Sequence, residues 1–512
     1  IPGLQVTASR SAAEYKKSGK GLATIARELG VDYLLVGKVR WEKGEGTQSR
    51  VRVSPELIQV STGSTKWQQP FEASLTDVFQ VQADVAGRVA QALDLALGAG
   101  EKQALAERPT RNVAAYDAFL KGEEVSLSVS TADPSDLRRS LVYYEQATAL
   151  DPGFAVAWAQ RARAYASMYG NSVPDPAVAE AALAAAQRAR SLAPERPEGY
   201  LALAEYYRGV KNDGARALEQ AELGLKAAPA NVDLLVVAAL AQQVQGRWER
   251  ASELLAKAQA VDPRSTITAW RLTRSLFFRR RYAEALAAGE RGLRLAPTHL
   301  GLIETSAMIH VARGDTAAAR AVLHGTPAGV DPASLVAYVA TYYDLFWLLD
   351  RGQRTLLYQL TPAQFDDDRG AWGLALAGAY ALDGDVGRSR AYADSARAEL
   401  EGQIRDTPGN AQLHALLGVA LAYLGRGQDA IREGRRGVEL LPLAQDAFGA
   451  PYNQHQLART YILTGEPDKA LDALEPLLKI PYLLSPGWLK VDPTFDPLRK
   501  NPRFQRMVAA AP

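Results

Sequence analysis

Five histidines, His299, His310, His324, His414 and His455, are the first candidates for a general base or a metal ligand. None has a second histidine or a carboxylate at a spacing that would set two ligands on one helix face. His414 falls at a core-facing position and reads as a packed residue. Asp366–Asp368 is a run of three carboxylates. Adjacent aspartates point in different directions, whereas calcium needs oxygen ligands spaced around a turn, so the run reads as a solvated loop. Arg279–Arg281 reads as a charged helix–helix turn, and only weakly as a patch for phosphate or an acidic partner. Gly19-Lys20-Gly21 is too short for a phosphate loop, and no G-x-x-x-x-G-K-[ST], G-x-G-x-x-G, G-x-S-x-G or kinase catalytic phrase occurs. The chain has no cysteine, which removes disulfides, thiolate metal sites and cysteine nucleophiles together. The expectation is a protein without catalytic, cofactor or metal residues.

What remains is recognition. Arg163, Glu205, Arg208, Trp270, Arg274, Phe277, Tyr452, His455 and Arg459 are the candidate groove residues. Trp270, Arg274 and Phe277 stand at i, i+4 and i+7, one stripe if the segment is helical. Two aromatics flanking a guanidinium could hold an apolar side chain beside a carboxylate. The alternative is that Trp270 and Phe277 pack against a neighbouring hairpin.

The elements that would position these residues follow from Asn231–Pro263, NVDLLVVAALAQQVQGRWERASELLAKAQAVDP. Apolar residues recur at three- and four-residue steps on both sides of Gly246, and Pro263 ends the second run. This predicts two helices in one hairpin, with Ala238, Ala239, Ala251 and Ala258 where the backbones approach. Pro152, Pro194, Pro229, Pro263 and Pro297 are 42, 35, 34 and 34 residues apart, and Pro408, Pro442 and Pro476 are 34 and 34 apart. Residues inside the period stay in phase: Trp158, Ala162 and Tyr165; Tyr200, Leu203, Ala204 and Tyr207; Leu417, Gly418, Gly425 and Ala430; Leu457, Ala458, Tyr461, Gly465 and Ala470. A period of 34 with this punctuation is the tetratricopeptide spacing. Met168–Val178 adds a longer loop. Residues 324–370 lose the phase and read as a degenerate repeat, and as a bend or seam between stacks at 112–323 and 371–482. Residues 483–512, rich in proline and aromatics, read as the cap that a repeat array needs on its last apolar face.

Residues 1–105 differ in texture. Leu4–Ser9 is a strand candidate and Lys20–Leu29 a helix closing at Gly30. Tyr33–Trp41, Arg50–Val60 and Thr65–Phe71 are strands, and Asp77–Leu97 is a long amphipathic helix. Glu101–Arg111 reads as a polar linker. The phrases IPGLQVTASRS, LATIARELGVDYLLVGKVRW, RVRVSPELIQVSTGSTKWQQPF and DVFQVQADVAGRVAQAL resemble, in order, a FlgO-like (TolB amino-terminal-like) domain. Such domains often precede tetratricopeptide repeats in the parts of bacterial transmembrane kinases, adenylate cyclases and regulators that lie beyond the effector domain. IPGL falls near the middle of that domain, so the resemblance implies a first strand and helix upstream. DPTFDPLRKNPRF resembles the carboxyl-terminal endings of the same group.

The fold expected is therefore mainly α: an α-solenoid of about ten tetratricopeptide-like hairpins behind a small α/β domain. The net charge of +2 over 512 residues gives no support for nucleic acid or an anionic membrane as partner, and no apolar run could span a bilayer. The function expected is a protein-interaction scaffold that takes a peptide or protein in its groove. Its setting would be the extracytoplasmic, sensor portion of a larger bacterial signalling or envelope protein, with the cytoplasm as the alternative compartment. Head-to-tail self-assembly into filaments or oligomers is the second reading.

Overall fold

The computed structural model describes residues 6–7, 12, 15, 19–42, 50–74, 78–95, 109–128, 134–171, 175–341 and 343–509. The strand expected at Leu4–Ser9 and most of the linker at Glu101–Arg111 lie outside them. The chain divides into two compact units, one of residues 1–238 and 256–265, the other of 239–255 and 266–512. The division runs through one helical hairpin, and residues 324–370 lie inside the second unit.

The first unit opens with α1 (Leu22–Leu29), which stops at Gly30 in the left-handed conformation, its N–H bonded to the Ala26 carbonyl. Strand β1 (Tyr33–Glu42) pairs antiparallel along its whole length with β2 (Arg50–Gln59). The third strand is broken: β3 (Ser64–Gln68) and β4 (Phe71–Ser74) pair successively with β2. The single strand expected over Thr65–Phe71 breaks after Gln68, at a gap that holds Pro70, which has no N–H for the ladder. Pro55 of β2 sits opposite this gap, where a missing donor does least harm. Helix α2 (Val78–Ala92) packs on the sheet, and Val81 and Ala90 are buried, as are Leu57 and Ile58 of β2 and Ala26 and Leu29 of α1.

Ten helical hairpins follow among the described residues. The first unit holds α3 (Val113–Ser128) with α4 (Pro134–Leu150), α5 (Ala155–Asn171) with α6 (Pro176–Leu192), and α7 (Pro197–Gly209) with α8 (Gly214–Ala227). The pair α9 (Val232–Val244) and α10 (Trp248–Val261) is the hairpin that the unit division crosses. The second unit continues with α11 (Thr266–Phe278) and α12 (Tyr282–Leu295), α13 (Leu300–Ala312) and α14 (Thr316–His324), and α15 (Pro332–Thr341) and α16 (Arg351–Leu357). Its last three pairs are α17 (Arg369–Leu382) and α18 (Val386–Asp406), α19 (Ala411–Tyr423) and α20 (Gly427–Leu440), and α21 (Ala450–Leu463) and α22 (Pro467–Lys479).

The local chemistry explains the punctuation. Pro152, Pro194, Pro229, Pro263, Pro297, Pro408 and Pro442 each follow a second helix by two residues, where they block its continuation. Pro476 departs from this rule, because it lies inside α22. Inter-helix turns place Gly246, Gly314, Gly384, Gly425 and Gly465 at positive φ. At the matching turns α7–α8 and α11–α12 the left-handed residues are Asn212 and Arg280. Asp213, Asp315 and Asp385 then cap the second helices by accepting backbone N–H bonds. Ala238, Ala239, Ala251 and Ala258 are all buried, as close helix packing requires.

Residues 324–370 form a shortened hairpin, α15 and α16, interrupted by single turns of 3₁₀ helix at Leu345–Leu348 and Pro362–Phe365. Leu345, Phe346, Trp347, Leu348 and Leu349 are all buried. The phase is lost here because the chain leaves the hairpin path to place five consecutive residues in the core. Past α22 come α23 (Pro486–Val491), a 3₁₀ turn at Pro493–Leu498 and α24 (Pro502–Ala509), with Trp488, Leu489, Phe495 and Phe504 buried.

Candidate ligand-binding surface on the first helices

In the first unit a polar ladder joins successive hairpins. Tyr144 donates to Glu123 at 2.7 Å, and Gln160 donates to the same carboxylate at 2.6 Å. Arg163 then donates to Glu205 at 2.9 and 3.2 Å, to Asp233 at 3.1 Å and to Gln160 at 2.9 Å. Burial disfavours the Arg163 charge, but Glu205 and Asp233 outweigh it and hold the guanidinium protonated. Arg163 and Glu205, both expected at the groove, thus spend their hydrogen bonds on each other and clamp α5, α7 and α9 together. Arg208 is exposed at the end of α7.

The second unit closes on itself. The Ala447 N–H donates to the Val244 carbonyl at 2.8 Å, and Trp248 and Phe278 both meet the Phe448 ring. Arg280 donates to the carbonyls of Leu478 at 2.9 Å and Leu484 at 3.3 Å. Ser485 donates to the Ala312 carbonyl at 2.6 Å. Arg279 pairs with Glu249, and Arg281 with Glu284. The arginine turn is therefore a structural clasp as much as a solvated one.

Closure changes the expected site. Phe277 is 1% exposed and packs against Phe278 and Tyr282, so the third member of the stripe is core and unavailable to a partner. The reason is local: the last turn of α11 is covered by its own hairpin partner. Trp270 and Arg274 remain half-buried. The guanidinium lies 4.6 Å from the Trp270 ring and 4.9 Å from the Phe448 ring, so its second aromatic neighbour comes from the loop before α21.

His455 and Arg459 are also interior, at 6% and 4% exposure. Arg459 pairs with Asp344 at 2.6 Å, and Gln456 bridges the two, accepting from Arg459 and donating to Asp344 at 2.8 Å each. Asp344 reaches this position from a left-handed backbone conformation, φ 58°, in the segment where the repeat is eroded. Around the pair stand Tyr423 and Tyr452, whose hydroxyls burial pushes up. His455 stacks on Phe495 and meets Tyr482 edge-on. Burial and the nearby Arg459 charge push its imidazole down to about 3.

That shift has a sign. The unfolded imidazole binds a proton below about pH 6.5, whereas the folded one stays neutral down to about 3. The stability that His455 contributes is therefore present above the unfolded value and is lost as pH falls through this window, at up to roughly 1.4 kcal/mol per unit. Urea titrations from pH 7 to pH 4 are expected to show a shallower loss for His455→Gln than for the unmodified chain. Parallel curves would show that another group sets the acid response.

His414 is buried, with its ring nitrogens on Glu433 at 2.8 Å and the Pro408 carbonyl at 3.1 Å. Asp368 caps α17 by accepting from the Ala371 N–H, while Asp366 and Asp367 take left-handed conformations in the turn. Among the described residues no group of three or more His, Asp or Glu side chains could hold a metal ion, and no helix is long and apolar enough to cross a membrane.

One buried group stands outside the residues expected at the groove. Glu304, on α13, is 2% exposed, and its Oε1 has no hydrogen-bond partner. Burial pushes its carboxyl well up, opposed by the charge of Arg274. The signal available was the period itself: Trp270, Glu304 and Tyr338 are 34 residues apart in sequence, which sets them at one position of three successive first helices.

No family model matches the chain. A putative adenylate cyclase 3 of Rhizobium meliloti (strain 1021) is 29% identical over 208 residues, 40% of this chain and 34% of that protein. The chain thus spans about a third of the length of this relative. Among solved structures, TTC0263, a thermophilic TPR protein of Thermus thermophilus, is 19% identical over 38% of this chain and 98% of its own, with a TM-score of 0.33. PilW, a type IV pilus biogenesis factor, is 18% identical over 46% and 98%, with a TM-score of 0.36. Likenesses at these scores say nothing of function. The architecture of the described residues is an α-solenoid of tetratricopeptide-like hairpins behind a small α/β region.

Proposed function

We propose that this chain is a non-catalytic protein-interaction scaffold, the extracytoplasmic sensor portion of a larger bacterial signalling or envelope protein. The observation that carries the reading is the half-buried inner face at Trp270 and Arg274, where a guanidinium beside two aromatic rings makes no ion pair among the described residues. Such a group on an inner helix face suits a peptide or protein partner. The resemblance of residues 1–105 to a FlgO-like domain and the partial likeness to a protein named as an adenylate cyclase support a setting beside an effector domain.

Replacing Trp270 and Arg274 by alanine is expected to weaken capture of a cross-linked native partner while the thermal melt stays in place. If the melt collapses instead, the two residues are core and the reading fails. Fusions of the native gene to a periplasmic and to a cytoplasmic reporter test the compartment: activity of the cytoplasmic reporter alone would overturn the extracytoplasmic assignment. A cyclic-nucleotide assay on the purified chain is expected to give no turnover, and turnover that follows the protein through purification would overturn the non-catalytic reading.

A second reading, head-to-tail assembly, is favoured by one feature. Val113 and Leu120 on α3 and Val142 and Leu150 on α4 are 41–60% exposed on the first hairpin. An array end that leaves its apolar residues in water can accept another array end. Light scattering after size exclusion separates the two, since a monodisperse monomer at micromolar concentration excludes filaments.

A further inference from the structure

We propose that the inner face of the second unit, at Arg274, Glu304 and Tyr343, binds a free carboxylate carried on an apolar body. The inference builds on the reading of this face as the recognition surface and names the chemistry it takes.

The Arg274 guanidinium is held by two rings, Trp270 at 4.6 Å and Phe448 at 4.9 Å. Rings covering a planar guanidinium leave its edge, and the edge presents parallel N–H donors that match a carboxylate in bidentate fashion. Among the described residues Arg274 makes no ion pair, although it is half-buried. A partly buried cation without an anion is costly, and a ligand carboxylate would offset that cost.

Two further groups converge on the same place. The Tyr343 hydroxyl faces Arg274, and both Arg274 and Glu304 act on it. Glu304 lies close enough to feel the Arg274 charge without bonding to it, and its Oε1 is unpartnered inside the protein. Burial pushes the Glu304 carboxyl well up, against the opposing charge of Arg274. The guanidinium and the phenol therefore meet at one point, with the unpartnered Glu304 oxygen buried beside them.

The walls select what carries the anion. Trp270, Tyr338, Tyr343 and Phe448 are each half-buried, so they offer ring surface to something apolar. Gly301 lies where a Cβ would come within 2.9 Å of Trp270 and 3.1 Å of the Tyr338 hydroxyl. The absent side chain leaves these two aromatics in place on either side of α13. Trp270 is also fixed by its indole N–H, which donates to Thr305 at 3.3 Å. The site is therefore oriented before any ligand arrives, which lowers the cost of binding.

The carboxylate could belong to a small metabolite or to the end of a peptide, and calorimetry with the full chain distinguishes them. The probes are N-acetyl-leucine, N-acetyl-leucinamide, and an octapeptide ending in leucine as free acid and as amide. At least one free acid is expected to bind at least about tenfold more tightly than its amide, the loss expected for removing a charged hydrogen-bond partner. Binding of N-acetyl-leucine marks a metabolite-sized ligand, and binding of the octapeptide acid alone marks a chain terminus. Arg274→Lys should weaken the acid by a similar factor, with Arg216→Ala, at an exposed side chain on α8, as an unaffected control. Acid and amide binding alike, no heat from either acid, or an Arg274→Lys variant that binds as the unmodified chain does would each overturn the proposal. The acid–amide comparison needs no variant, so a folding defect cannot obscure it. If it fails while Trp270 and Arg274 still govern partner capture, the scaffold reading stands and this ligand class falls.

Discussion

Arg459→Ala is expected to lower the stability of the chain by roughly 3–5 kcal/mol, the cost of leaving a buried charge without its partner. The pair it breaks joins α21 to the eroded repeat through Asp344, at 2.6 Å. Arg459 has only 5% of its side chain exposed and Asp344 20%, so water cannot replace the lost charge cheaply. Gln456 is held by both ends, and the substitution strands its amide as well. Replacing both ends, Asp344→Leu with Arg459→Met, is expected to cost less than either single change, because the uncompensated charge is then gone. Guanidinium titrations of the three variants decide the matter. A loss below about 1 kcal/mol for Arg459→Ala would mean that the site relaxes enough to admit water.

Gly487→Ala is the second large effect. A Cβ at this position would overlap the Ala312 carbonyl oxygen and come within 2.9 Å of the Gly314 nitrogen and 3.0 Å of the Arg313 carbonyl carbon. All three are backbone atoms, so no side chain can rotate away. Overpacking of this kind costs about 1–3 kcal/mol, and here it also threatens the Ser485 bond to Ala312 two residues earlier. The expected readout is faster hydrogen exchange in 485–509 and in the last turn of α13. Unchanged exchange in α13 would mean that the terminal segment shifts as a body. Ser485→Ala, which removes the bond without adding bulk, should give a smaller change of the same pattern.

These two sites show where sequence reasoning ends. Helix pairing was legible because it is local: proline two residues past most of the second helices, glycine or aspartate at the turn, and alanine at the close approach. The period of 34 also gave Trp270 and Arg274 one face of a first helix, and both are half-buried there. What could not be read was contact between residues far apart in the chain. Phe448 beside Arg274, Asp344 beside Arg459 and Gly487 against Ala312 each join hairpins separated by more than two periods. Phase arguments assign a face to each helix and do not say whether that face meets water or another part of the array. Phe277, His455 and Arg459 were assigned to an open groove on phase; the hairpin's own second helix buries Phe277, and contacts with distant segments bury His455 and Arg459. Pro476 shows a smaller failure of the same kind, since regular spacing put a helix end where α22 continues for three more residues.

Arg280 stands where most of the other hairpin turns have glycine, in a left-handed conformation that a side chain adopts at some cost. Its guanidinium reaches the carbonyls of Leu478 and Leu484. An open repeat array can gain or lose a hairpin in the course of evolution, because each unit touches only its neighbours. The second unit has lost that freedom. Inserting or deleting one hairpin between Arg280 and Leu478 would carry the two ends of this bond out of reach, together with those of Val244 with Ala447 and Ala312 with Ser485. Its copy number is locked, and homologues that differ in length are expected to differ outside this span.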